Sequence, residues 1–254
     1  MLSGTSSHYV FYNESMEELE RNVRSLRRAL KRINGDPRFR RQSIFIDGAS
    51  MNLDPKRQFL LEAFAPGEEY SCDFMIQSKE IRIIRVTKKI KGPYFGYFKG
   101  YHLLNEAELA RDGIDKSRLV SVCRRIAKAL AVRACVCMVD FKVFGGKINV
   151  LEASIRPGLS AFNHLMYDVY GYTSLALMAM QKMGVRVDAE INGSSGAVLY
   201  LYAGLNGDLE SSLDISELED LKQRFNTTAT HTYKESYDCA TDSAFDHSSL
   251  LKGY

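Results

Sequence analysis

The alternation of apolar and polar positions marks out the elements of this chain. Met16, Leu19, Val23, Leu26, Leu30 and Ile33 recur at helical spacing, which predicts an amphipathic helix over residues 16–33. Ser15 and Glu18 give it a capping box, and Gly35-Asp36-Pro37 ends it. Residues 38–58 are polar apart from Ile44-Phe45-Ile46. Phe59–Ala65 reads as a buried strand, Pro66-Gly67 as a turn, and residues 69–76 as an alternating strand. Residues 81–86 supply the partner of that strand across Gln77–Glu80. Residues 87–101 hold Lys88, Lys89, Lys91, aromatic residues and three glycines, and read as a long loop of functional or surface character. Leu119–Leu130 is amphipathic, and Asn163–Met183 reads as a single core helix. After a linker-like turn at Gly193–Gly196, Ala197–Ala203 has strand character and Ile215–Phe225 helical character.

The stretch 136–160 carries the candidate chemistry. Cys137–Val143 and Ile148–Ala153 flank Gly145-Gly146 and predict a β-hairpin. An odd loop of Gly145, Gly146 and Lys147 pairs Phe144 with Ile148 and sets Asp140 opposite Glu152. That register also gathers Val139, Phe141, Val143, Leu151 and Ala153 on one apolar face. An even loop mixes the two sets, so the pattern favours the odd one. Facing carboxylates repel and desolvate badly unless something positive lies between them. A hard cation such as Mg²⁺ takes oxygen ligands and keeps waters for phosphates. Ser154 falls on the same face and adds an oxygen, and Arg156 in Arg-Pro-Gly presents a guanidinium suited to phosphoryl or carboxylate groups. The alternative is an exposed sheet face with a hydrated acid pair.

Composition sets the limits. The 254 residues, 45% hydrophobic and 26% charged, are those of a globular protein of one large or two small domains. A net charge of +3 is too small to imply a nucleic-acid partner. No apolar run is long enough to span a membrane, and Met1–Ser7 lacks the features of a secretory signal. Five scattered cysteines suggest free thiols in a reducing, cytoplasmic setting. Cys135-x-Cys137 lacks a second pair at zinc spacing and reads as buried hydrophobes.

Asp140, the hairpin, and then Glu152-Ala153-Ser154-Ile155-Arg156-Pro157-Gly158 resemble the metal-binding hairpin of the ATP-grasp superfamily. The resemblance implies that Asp140 and Glu152 hold Mg²⁺ (or Mn²⁺) on the phosphates of ATP and that Arg156 steadies the transferred group. Ser154 stands where the family usually has Asn, which weakens it as a metal ligand. Gly4-Thr5-Ser6-Ser7 resembles the family's phosphate-covering loop, with Gly4, Ser6 and Ser7 as the phosphate contacts, although it has one Gly instead of two or three. The string LLEAFAPGEEYSCDF resembles the hinge that holds adenosine: Glu62, Phe64 and Ala65 match the adenine side and Glu69 the ribose acid.

The implied fold is an α+β ATP-grasp domain. Residues 1–66 form a partial lid subdomain, 67–190 a larger antiparallel-sheet subdomain, and 191–254 a small C-terminal extension. The implied activity is ligation of a small-molecule carboxylate to an amine through an acyl phosphate. The family's usual lysine before the phosphate loop and its N-terminal α/β domain have no counterpart ahead of Gly4. Lys31 lies on the outer helix, and Lys88 to Lys91 lie beyond the hinge. A truncated ligase with weak activity and a tendency to self-associate is therefore expected. Two other readings stand beside it: a nucleotide-holding module without chemistry, and an RNA-binding protein using the Arg-rich face of the first helix (Arg21, Arg24, Arg28, Arg32).

Overall fold

The computed structural model describes residues 10–46, 48–91, 98–158, 162–191 and 193–199. In chain order these form α1 (Met16–Arg32), a 3-10 turn (Pro37–Phe39), β1 (Gln42–Ile46), β2 (Ala49–Leu53), β3 (Glu68–Gln77), β4 (Glu80–Lys91), β5 (Phe98–Leu103), α2 (Glu106–Arg111), α3 (Lys116–Ala129), β6 (Cys135–Phe144), β7 (Lys147–Ser154), α4 (Phe162–Tyr170), α5 (Ser174–Lys182) and β8 (Gly196–Leu199). Every strand pair is antiparallel, so the fold class is α+β. The chain divides into two compact units. One holds the described residues up to Phe64, and the other holds those from Ala65 on.

In the first unit, Ser15 caps α1 by accepting from the Glu18 N–H at 3.1 Å. The Glu18 carboxylate bonds the Glu14 N–H at 2.9 Å instead of completing the box at Ser15. Leu26 and Leu30 bury against Phe39, with Ile33 beside them. Among the described residues, strands β1 and β2 pair only with each other. The strand expected over Phe59–Ala65 does not form: this segment is irregular, and Leu61 is 66% exposed. Its backbone finds no strand partner among the described residues, and an apolar run without one cannot hold strand form.

The second unit is built on a six-stranded sheet of order β7-β6-β3-β4-β5-β8. Tyr70, Cys72, Phe74 and Ile76 of β3 share one face with Cys137, Val139, Phe141 and Val143 of β6. That face is covered by Leu109 of α2 and by Leu119, Cys123 and Ala127 of α3. On the other face Met75, Ile84 and Val136 pack against Met166 of α4 and Leu177 of α5. The two helices cover only part of it. This face also carries polar side chains: Glu69, Ser71 and Asp73 of β3, Arg85, Thr87 and Lys89 of β4, and Asp140 of β6.

Two expectations are corrected here. Residues 87–91 are the end of β4, so Lys88, Lys89 and Lys91 belong to a strand and not to a loop. The single helix expected over residues 163–183 is two helices, because Thr173 caps α5 by accepting from the Ala176 N–H at 3.0 Å. Residues 196–199 pair with β5 and so extend the main sheet.

Asp73 and Arg85, both with no exposed side-chain surface, join the polar face to the covering helices. Arg85 grips the carboxylate with two bonds, Nε to Oδ2 and Nη2 to Oδ1, each 3.0 Å. Its Nη1 donates to Thr87 Oγ1 at 2.8 Å and to the Ser71 carbonyl at 3.2 Å, and its guanidinium lies 3.9 Å above the Phe162 ring. Asp73 also accepts from the Gly158 N–H at 3.0 Å and from Ser174 Oγ at 2.5 Å. A buried ion pair is tolerable when every donor and acceptor is used in this way. Asp73→Ala leaves Arg85 charged and unpaired in the interior. It should lower unfolding stability by about 3–5 kcal/mol in urea titrations. Removal of the exposed Arg24–Glu20 pair should cost no more than about 0.5 kcal/mol. Equal effects of the two changes would show that the buried network is not structural.

Candidate functional site

The β6–β7 hairpin brings Asp140 opposite Glu152 by a route that differs from the expected one. Phe144 pairs with Lys147, so the loop is Gly145-Gly146 alone. Both glycines have positive φ, 55° and 72°, as the two-residue hairpin turn that matches strand twist requires. That even loop by itself would set Asp140 against Leu151. The register shifts between Asp140 and Phe141, where Phe141 pairs with Val150 and Asp140 with Glu152, so Leu151 is the extra residue of a β-bulge. The bulge restores the acid pairing and turns Leu151 partly outward, to 39% exposure, instead of adding it to the apolar face. Val139, Phe141 and Val143 remain in the core, with Ala153 packed against it.

Between the acids of this face stands Lys89, which sequence reading placed in a loop. Its Nζ donates to Asp140 Oδ2 at 2.6 Å and to Glu69 Oε1 at 2.7 Å. Burial alone would lower the pKa of this lysine, but the charges of Asp140 and Glu69 and their hydrogen bonds outweigh it and raise the pKa above the ordinary lysine value. A raised lysine pKa means that the stability from these contacts is fully present below the unfolded lysine pKa and is lost only as pH climbs through the higher folded value. The ammonium is therefore charged throughout the neutral range. A period-two signal was available for it: Arg85, Thr87 and Lys89 alternate with inward residues, as Glu69, Ser71 and Asp73 do on β3.

Asp140 is 9% exposed, and its Oδ1 is buried without a hydrogen-bond partner. Such an atom is costly unless something else occupies its lone pairs. Glu152 across the strand is exposed and makes no ion pair among the described residues. This spare carboxylate oxygen opposite a free carboxylate fits a hard cation. Among the described residues no three His, Cys, Asp or Glu side chains converge as a closed metal site. Ser154, half-buried, sits opposite Met138 on the same strand as Glu152.

Arg156 lies just past β7, exposed, with Nη1 donating to the Pro157 carbonyl at 3.1 Å. Two residues on, Gly158 is held by Asp73, and a Cβ there would meet Arg85 Nη2. Glycine at this position lets the turn carrying Arg156 close onto the buried pair. Glu62 and Phe64 are exposed in the first unit, where Phe64 makes an edge contact with Tyr12 at 5.0 Å between ring centroids. Ala65 and Glu69 belong to the second unit, where the Ala65 carbonyl accepts from Lys142 Nζ at 3.0 Å. Gly4, Ser6 and Ser7 lie outside the described residues. No helix of the described residues is long and apolar enough to cross a membrane.

No protein-family model matches the chain, and no curated protein matches it. Solved structures do. An L-amino acid ligase from Bacillus licheniformis aligns with 18% identity over 47% of this chain and 30% of its own, at a TM-score of 0.37. The phosphoribosylaminoimidazole carboxylase ATPase subunit from Aquifex aeolicus aligns with 10% identity over 70% of this chain and 50% of its own, at a TM-score of 0.46. The N5-carboxyaminoimidazole ribonucleotide synthetase from Thermus thermophilus aligns with 14% identity over 54% and 37%, at 0.42. The chain thus spans half the length or less of each of these proteins. A putative ATP-grasp superfamily protein from Archaeoglobus fulgidus aligns with 15% identity over 59% of this chain and 44% of its own, at a TM-score of 0.37.

Proposed function

We propose that this chain carries the core of an ATP- and Mg²⁺-dependent ligase that joins a carboxylate to an amine or similar nucleophile. The observation that supports this most is the buried, unpartnered Asp140 Oδ1, set opposite Glu152 and beside a lysine held in its charged form. The motif resemblance of Asp140, Glu152 and Arg156 points the same way. In the proposed reaction a carboxylate oxygen attacks the γ-phosphorus and ADP departs, leaving an acyl phosphate. The amine then attacks the acyl carbon, loses a proton, and expels inorganic phosphate. Asp140 and Glu152, with Ser154 beside them, would hold the metal, which when bound neutralises phosphate charge. Glu69 would accept from the ribose hydroxyls, with Ala65 of the same unit along the adenine side.

The residues of the chain mainly position and neutralise charge in such a reaction. Lys89 lies on a strand in the middle of the sheet, so its ammonium is delivered to the acid face by rigid backbone. Arg156 sits on a turn tied to Asp73 through Gly158, which fixes where its guanidinium can reach. Its planar fork suits the phosphoryl oxygens of the acyl phosphate.

Two measurements test the reading. Glu69→Ala should weaken ATP binding in calorimetry by about 1–3 kcal/mol, the scale of a lost charge-assisted hydrogen bond. Unchanged affinity with an intact fold would remove Glu69 from the nucleotide site. The second uses carboxylates labelled with ¹⁸O, offered as a mixture with amines and ATP. One labelled oxygen should appear in the released phosphate, and Asp140→Asn should abolish both ADP and labelled phosphate. ATP affinity without ADP release would instead favour a nucleotide-holding module.

A further inference from the structure

The acid pair is not open in this chain, because an ammonium already occupies part of it. Lys89 Nζ takes Asp140 Oδ2, and only Oδ1 is left over. Lys89 cannot be withdrawn by moving its backbone. It lies on β4, which is bonded to β3 on one side and to β5 on the other, with Lys89 itself opposite Tyr101. Its side chain, however, is a flexible four-carbon stem carrying a compact charge. A second carboxylate, Glu69, already holds the same nitrogen at 2.7 Å. The Phe98 ring lies 5.0 Å away on a third side. The ammonium can therefore give up Asp140 without becoming an unpaired buried charge. Glu69 and the Phe98 ring thus already contact the ammonium on the sides away from Asp140.

We propose that Lys89 is a built-in counter-ion that competes with a divalent cation for Asp140, so that a cation enters only as the ammonium withdraws toward Glu69. The inference rests on the reading that Asp140 and Glu152 bind the cation. Two cationic charges cannot both sit at full strength on one carboxylate in a poorly screened site. The ammonium keeps the buried acids neutralised when no metal is present, which an empty acid pair could not do. It also makes the affinity for metal alone lower than the acids by themselves would give.

The test titrates the full chain with Mn²⁺ in the absence of nucleotide and follows free Mn²⁺ by electron paramagnetic resonance. Lys89→Met should bind Mn²⁺ at least about tenfold more tightly than the unaltered chain, since one positive charge leaves the site. Lys89→Arg should stay near the unaltered chain, and Asp140→Asn should lose the site. An equal or weaker affinity in Lys89→Met, with Asp140→Asn still abolishing binding, would overturn the role of Lys89 and leave the metal reading standing. No Mn²⁺ held by either the unaltered chain or Lys89→Met would overturn both. Because Lys89→Met leaves Asp140 and Glu69 without their partner, a second readout uses the unaltered protein. The ¹⁵Nζ resonance of Lys89 should shift when Mg²⁺ is added, as its bond to Asp140 is lost. A resonance unmoved at saturating Mg²⁺ would overturn the proposal whatever the variant does.

Discussion

The Asp73–Arg85 pair is the constraint on which the second unit depends. It lies where three parts meet: the centre of the sheet, the turn after β7, and the start of α5. A guanidinium and a carboxylate with no exposure are costly to desolvate, so each must be fully bonded. Arg85 reaches Asp73, Ser71 and Thr87, while Asp73 is also bonded by Gly158 and Ser174. These bonds leave little freedom in the turn that follows β7, up to Gly158. They fix the turn on which Arg156 stands, and they set where α5 begins to cover the sheet.

Several elements of the fold were legible in the sequence, because they follow from short-range periodicity, whereas the Asp73–Arg85 pair was not read from it. The apolar stripe of α1, the alternation in β3 and the hairpin around Gly145-Gly146 each came from a pattern within a dozen residues. The Asp140–Glu152 pairing was reached through the wrong loop. Parity arguments assume an uninterrupted ladder, and a bulge at Leu151 changes parity without any residue signature as strong as a Gly pair. The strand at Phe59–Ala65 failed for a different reason. An apolar run predicts burial only if a partner edge exists, and partners are a property of the fold and not of the run.

Lys89 was missed because the clustering of lysines, aromatics and glycines after residue 87 resembles a loop. The structure divides that cluster. The residues up to Lys91 continue β4, where successive side chains alternate between opposite faces of the sheet. Lys88 goes to Asp112 at 3.1 Å beside the Tyr70 hydroxyl, while Lys89 goes to the acids on the opposite face. Two adjacent lysines thus serve different sides of the sheet, a distinction that composition cannot carry and alternation can.

The two buried ionic groups on the polar face differ in one respect that separates structure from chemistry. Around Asp73 both carboxylate oxygens are doubly bonded, by Arg85 and Gly158 at Oδ1 and by Arg85 and Ser174 at Oδ2. Around Asp140 one oxygen is held by a movable ammonium and the other by nothing. A fully satisfied network rigidifies, and its loss is felt as instability. A partly satisfied one of similar burial is costly to the folded chain, and its persistence makes sense where a ligand completes it. The rigid pair sits toward the helices that cover the sheet, and the incomplete group lies four residues further along β3 and β4, at Glu69 and Lys89, with Asp140 of β6 opposite Ser71. That adjacency lets the first network hold the second in register, so the unsatisfied oxygen is presented by a face that cannot relax to bury or solvate it.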